Sequence, residues 1–155
     1  MPRDITRHAI WVTALLVAVS WSSPGQTRGF GLGLIIGEPT GISGKYWVSR
    51  ENAVDGAIAW SFRREGRFHI HADYLDHFPD AIHSTERFPL YIGIGARIAG
   101  GHGEGLLGIR FVGGIAFWPR KIPLDVFLEL SPILDLIPAT ELSANIGLGV
   151  RYFFQ

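Results

Sequence analysis

From Gly29 to the C-terminus large apolar residues change place with small or polar ones at a period of two. The pattern is plainest in the last segment, Leu142-Ser-Ala-Asn-Ile-Gly-Leu-Gly-Val-Arg-Tyr-Phe-Phe154. Successive side chains of a β-strand point to opposite faces, so this period specifies strands, whereas a helix needs apolar residues at i, i+3, i+4 and i+7. No window sustains that helical spacing. The alternation predicts eight strands, at about 29–37, 42–49, 53–62, 67–76, 89–99, 106–118, 123–131 and 141–154. Turn-forming stretches separate them, among them EPTG at 38–41, RENA at 50–53, RREG at 63–66 and GGHGEG at 100–105. There is no repeat with a 20–50 residue period. The expected fold is all-β, an eight-stranded antiparallel up-and-down barrel spanning residues 28–155 as a single domain.

The two faces of these strands differ sharply. One collects Phe30, Leu32, Leu34 and Ile36, then Ile42 and Tyr46, and so on to Ile146, Leu148, Val150, Tyr152 and Phe154, with no charge expected on it in any strand. The other carries Lys45, Asp55, His69, His71, Asp73, Arg97, Arg110, Asp125, Glu129, Asn145 and Arg151, spaced by Gly, Ala and Ser. An eight-stranded barrel has an interior just wide enough for side chains to fill. The bulky face would overfill it, while the glycine-rich polar face fits. The expectation is therefore an inverted barrel, apolar outside and polar inside, as transmembrane barrels are. Closure also satisfies the backbone polar groups in a medium without water.

Residues 1–22 carry Arg3 and Arg7 ahead of an apolar run, Ala9 to Ser20, too short to cross a bilayer as a helix. This reads as a cleavable export signal. Composition closes off other classes. With no cysteine there is neither a disulfide framework nor a thiolate site. Fourteen basic against fourteen acidic residues leave no positive field for nucleic acid. At 47% apolar and 18% charged the chain is not disordered.

Aromatic residues cluster at the strand ends. With both termini in the periplasm, Tyr46, Trp47, Tyr74, Trp118, Tyr152 and Phe154 fall at one rim and Trp60 at the other. These form the expected aromatic girdles.

The export signal, eight amphipathic strands and the closing strand with its terminal aromatic resemble the small outer-membrane β-barrel proteins of the OmpA/OmpX type. The resemblance covers about Arg28 to Gln155. GxxxGEPTGIxGKYW at 33–47 and HxHADY at 69–74 are also similar to a bacterial family of small barrels with no known activity. The resemblance implies a monomer in the bacterial outer membrane. It also implies contact with outer-membrane lipid and recognition of the last strand by the barrel-insertion machinery.

Inside, four cations (Lys45, Arg97, Arg110, Arg151) match four acids (Asp55, Asp73, Asp125, Glu129), so a charge-paired network filling the lumen is expected. His69 and His71 share a side with Asp73, a spacing that could hold zinc or pair a base with its carboxylate. The network role is preferred, because no serine is placed as a nucleophile. Gly29-x-Gly31-x-Gly33 lacks the helix that a nucleotide site needs. The reading is a non-enzymatic structural or interaction protein without a cofactor. The alternatives are a lipid-modifying barrel and a narrow pore with a lumenal ligand site. Strand seven is expected to end or bulge at Pro132, leaving 132–140 as a connection that folds over the mouth or lies against the rim.

Overall fold

The computed structural model describes residues 27–61, 67–101 and 103–154 of the chain. The expected export signal at 1–22, Phe62 and the 63–66 turn lie outside the described residues. The strands are β1 (Phe30–Glu38), β2 (Thr40–Trp47), β3 (Asn52–Ser61), β4 (Arg67–Phe78), β5 (Leu90–Gly101), β6 (Glu104–Phe117), β7 (Leu124–Ile137) and β8 (Glu141–Phe154). Each pairs antiparallel with its sequence neighbours, and β8 pairs with β1, closing an eight-stranded barrel.

Closure is staggered. Ladder partners followed from Leu32 run through Gly44, Gly56, Ala72, Ala96, Ile109 and Leu134 to Leu142. Across the closing pair, however, Leu32 faces Tyr152, ten residues along β8 from Leu142. Such a stagger tilts the strands to the barrel axis, typically by about 35–45°.

At the end away from the termini two described connections are tight. Gly37, at φ +142°, takes a conformation that favours glycine. Its N–H donates to the Thr40 hydroxyl (3.1 Å), which donates back to the Gly37 carbonyl (2.9 Å), so a single residue, Pro39, separates β1 from β2. Residues 138–140 join β7 to β8. The connections 48–51, 79–89 and 118–123 lie at the opposite end, where β1 begins and β8 ends.

Strand seven does not end at Pro132. Pro132 faces Ala144 in the ladder with β8, while pairing with β6 lapses between Ile133 and Leu130. The missing proline N–H is accommodated on one side only. The irregularity falls instead at Leu107/Gly108 of β6. Residues 132–137 therefore extend the wall, with Ile133 fully buried inside and Leu136 exposed outside. They are not a cap over the mouth.

Burial follows the alternation. Large apolar side chains such as Ile36 (66% exposed), Ile98 and Leu142 (77%) stand on the outer face, while Lys45, Arg97, Arg110, Arg151 and their carboxylate partners are shut inside. The expectation of no charge on the outer face needs correction: β4 runs on to Phe78, and Asp76, two residues after outward Tyr74, stands on that face. There it accepts a hydrogen bond from Asn52 Nδ2 at 3.2 Å, at the terminal-end rim.

Candidate functional site

The barrel interior holds the chemistry, and its floor is aromatic. At the end that carries the termini, Trp47, His77, Trp118 and Phe153 pack against one another. Ring centroids lie 4.5 Å apart for Trp47–His77 and 5.6 Å for Trp47–Trp118. Trp47 and Trp118, expected in the outer girdle, are therefore corrected to lumenal positions. The reason is parity: Trp47 follows inward Lys45 by two residues, and Trp118 follows inward Ala116 by two. Trp118 also gains a polar partner there, its Nε1–H donating to Asp125 at 3.1 Å. The other expected girdle residues, Tyr46, Trp60, Tyr74, Tyr152 and Phe154, stand on the outer face, half-buried to exposed.

Above the floor lies a layer of ion pairs. The Lys45 ammonium sits 3.1 Å from Asp125 and 2.9 Å from His77 Nε2. An ammonium has only protons to give, so His77 Nε2 accepts and its Nδ1–H donates to the Glu51 carbonyl at 3.0 Å. Arg151 donates to Asp55 (2.6 Å), Asp125 (3.3 Å) and the Ser43 hydroxyl (2.9 Å), with its guanidinium 3.8 Å from the Phe127 ring centre.

Arg110 forms the next layer. Its Nε lies 3.1 Å from both Asp73 oxygens, and its Nη2 donates to Glu129 at 2.9 Å and to Ser131 at 3.0 Å. Tyr91 donates to the other Glu129 oxygen at 3.3 Å. Higher still, His69 Nε2 and His71 Nδ1 meet at 3.1 Å, and His71 Nε2 stands 3.7 Å from Asp73. Arg97 then grips Asp135 with two N–H groups and reaches Ser143 at 3.1 Å.

The structure thus brings together Lys45, Asp55, His69, His71, Asp73, Arg97, Arg110, Asp125, Glu129 and Arg151, all buried. Taking two opposite charges from water is costly unless each is paired and its remaining hydrogen bonds are met. Most here are. Asp55 Oδ1 and Arg110 Nη1 lack a partner.

Sequence reasoning missed Asp135, His77 and Tyr91, as well as the apolar inward residues Ile35, Leu75, Val112 and Phe127. Strand parity would have found each of them. Asp135 makes the described buried charges four cations to five acids.

The inward serines bond Arg151, carboxylates or the Gly56 carbonyl: Ser43 the first and last, Ser61 the Glu38 carboxylate, Ser131 Glu129 and Ser143 Asp135. The histidine rings are turned to each other, and among the described residues no group of three or more His, Asp or Glu side chains is gathered for a metal ion. The arrangement bonds charge to charge through the barrel. Against models of known families, curated proteins and solved structures, the chain gives no match.

Proposed function

We propose that this chain is an outer-membrane barrel of a bacterial envelope, of the OmpA/OmpX type, with a structural or interaction role and no catalytic one. The observation that carries the reading is the inversion of burial. Arg110 is 1% and Asp125 0% exposed inside the barrel, while Leu32, Ile58, Ile94, Leu128 and Ile146 stand about half exposed on its outer face. In water a face of that size is an aggregation liability. In hydrocarbon it is the ordinary surface of a spanning barrel, and a closed ladder leaves no edge to satisfy.

Its neighbours would be outer-membrane lipid, and the insertion machinery would read β8. Short hairpins at the end away from the termini argue against a loop-borne adhesin, because that end would face outward if both termini stay in the periplasm. The aromatic floor and the ion-paired layers argue against open conduction.

The test is refolding of the chain without residues 1–22. The expected result is folding only in detergent or lipid, with a heat-modifiable band on a denaturing gel. A folded, monodisperse monomer in detergent-free buffer would overturn the reading.

A further inference from the structure

In the Arg151 and Arg110 layers the charges do not cancel. Among the described residues Lys45, Arg110 and Arg151 stand against Asp55, Asp73, Asp125 and Glu129, three cations to four acids, all buried. Arg97 does not make up the difference, because Asp135 already takes two of its N–H groups. His77 is neutral, since it accepts from Lys45. His71 Nε2 lies 3.7 Å from Asp73, beyond the reach of a charge-assisted hydrogen bond. A buried charge left over in this way is normally neutralised.

The hydrogen bonds show where. The four acids bring eight oxygens, and seven of them accept. Both Asp73 oxygens take Arg110 Nε–H, and those of Asp125 take Trp118, Lys45 and Arg151. The Glu129 oxygens take Arg110, Ser131 and Tyr91, and Asp55 Oδ2 takes Arg151. Asp55 Oδ1 alone meets no donor, on a residue only 4% exposed. Directly opposite in the β3–β4 ladder stands Asp73, equally buried. Facing residues on neighbouring strands have Cβ atoms about 4.5–5.5 Å apart. Two carboxyls so placed repel when both are ionised and share a hydrogen bond when one is not. Arg110 Nη1 also lacks a partner, but a bond from it would leave the sum of charges unchanged.

We propose that Asp55 and Asp73 form a proton-binding site. The folded barrel takes one proton from water, holds it on Asp55 Oδ1 and points it at an Asp73 oxygen. Asp55 Oδ2 keeps its bond to Arg151, and the two layers then hold three cations and three carboxylates. The Arg151 guanidinium, 2.6 Å from Oδ2, would repel a metal ion, whereas a proton needs no coordination shell. Above Arg97 the lumen widens to a cavity of about 110 Å3 lined in part by Glu38, His69 and Asn145. The His69–His71 pair stands between that cavity and Asp73, so the proton enters from this side. The consequence is a barrel whose stability is linked to pH. The inference rests on the barrel interior and not on what covers its outer face.

The test is infrared spectroscopy of the full chain folded in detergent micelles at neutral pH. A barrel that folds without detergent gives the same spectrum in buffer, so failure of the membrane reading stays separate. The expected result is the carbonyl stretch of one un-ionised carboxyl, which Asp55→Asn abolishes. The amide replaces the protonated acid group for group, donating to Asp73 and accepting from Arg151, so this variant is at least as stable as the wild type. Should it not fold, Asp73→Asn, which balances the charges without a proton, removes the band in its place.

Linkage gives a second reading. An unfolded aspartate is ionised above about pH 4, so from there upward the folded chain holds one proton more than the unfolded one. Stability then falls as pH rises. The folded-to-unfolded ratio of the wild type, divided by that of Asp55→Asn, drops about tenfold per pH unit until the folded barrel releases its proton. No un-ionised carboxyl in the wild type overturns the site, as does a ratio that does not move with pH. A band that survives in either folded variant, or an imidazolium at His71 in the 15N-labelled chain, overturns the assignment to this pair. A folded Asp55→Asn less stable than the wild type at neutral pH shows an ionised Asp55 and overturns it as well.

Discussion

The Lys45 ammonium and the Asp125 carboxylate, 80 residues apart in sequence, meet at 3.1 Å across the lumen with side chains 1% and 0% exposed. Neither has water to fall back on, so each is tolerable only because of its partners, which for Asp125 include Arg151 at 3.3 Å. The same logic governs Arg151 with Asp55 and Arg110 with Asp73 and Glu129.

Removing one partner of such a buried pair strands the other charge. Arg110→Ala leaves Asp73 and Glu129 without their guanidinium. It should lower unfolding stability by about 3–5 kcal/mol, read from urea titration of the lipid-refolded barrel. The double change Arg110→Met with Glu129→Gln should recover part of that loss. Equal stability of Arg110→Ala and wild type would remove the network's structural role.

Charge on the outer face should hurt for a different reason. Leu128→Arg and Ile94→Arg, both about half exposed and mid-strand, should each cost about 2–4 kcal/mol if they sit at a bilayer midplane. In the same titration Ile82→Arg, in the 79–89 connection, should be near neutral. If all three behave alike, the outer face does not meet hydrocarbon.

Tryptophan position gives an optical check. Trp47 and Trp118 are buried in the lumen at 5% and 1% exposure, whereas Trp60 stands on the outer face at 50%. Brominated lipid should quench Trp60 strongly, and single-tryptophan chains retaining Trp47 or Trp118 weakly. Equal quenching of all three would restore those two indoles to the girdle.

Protease access should be one-sided. The hairpin at 138–140 is short and its strands are paired up to Asp135 and Glu141, while 79–89 is the longest connection between described strands. In intact cells an added protease should leave the barrel whole, and after permeabilisation the first cut should fall within 79–89. External cleavage there would reverse the orientation.

The fold was legible in the sequence because one regularity, the period of two, sets both strand identity and facing. Eight strands and their ladder order follow from it. The girdle was misjudged where position along a strand was allowed to outweigh parity, as for Trp47 and Trp118. Pro132 concealed Asp135 for a related reason: proline forbids one hydrogen bond, yet β7 still pairs with β8 through it, so the inward series Ser131, Ile133, Asp135 continues unbroken. Asp76 breaks the uncharged outer face for the same reason: it already lies inside the expected strand at 67–76, two residues after outward Tyr74, so parity sets it outward. His69 and Asn145 were legible as inward residues, but the cavity that they line with Glu38 was not, since the three come from different strands and come together only once the barrel is closed.

The pairing of β8 with β1 also sets an order of events in time. Phe30 finds Phe154 across that seam, so the first strand keeps an unmatched edge until the last has been made. Arg151 rides on that final strand, and its partners Ser43, Asp55 and Asp125 lie on β2, β3 and β7. Until β8 arrives, two carboxylates on distant strands have no guanidinium between them. Assembly should therefore be a single late step with slow, concerted kinetics, as contacts of long sequence separation impose. A chain cut short before β8 should gain no partial barrel, because both its seam and its central cation would be missing.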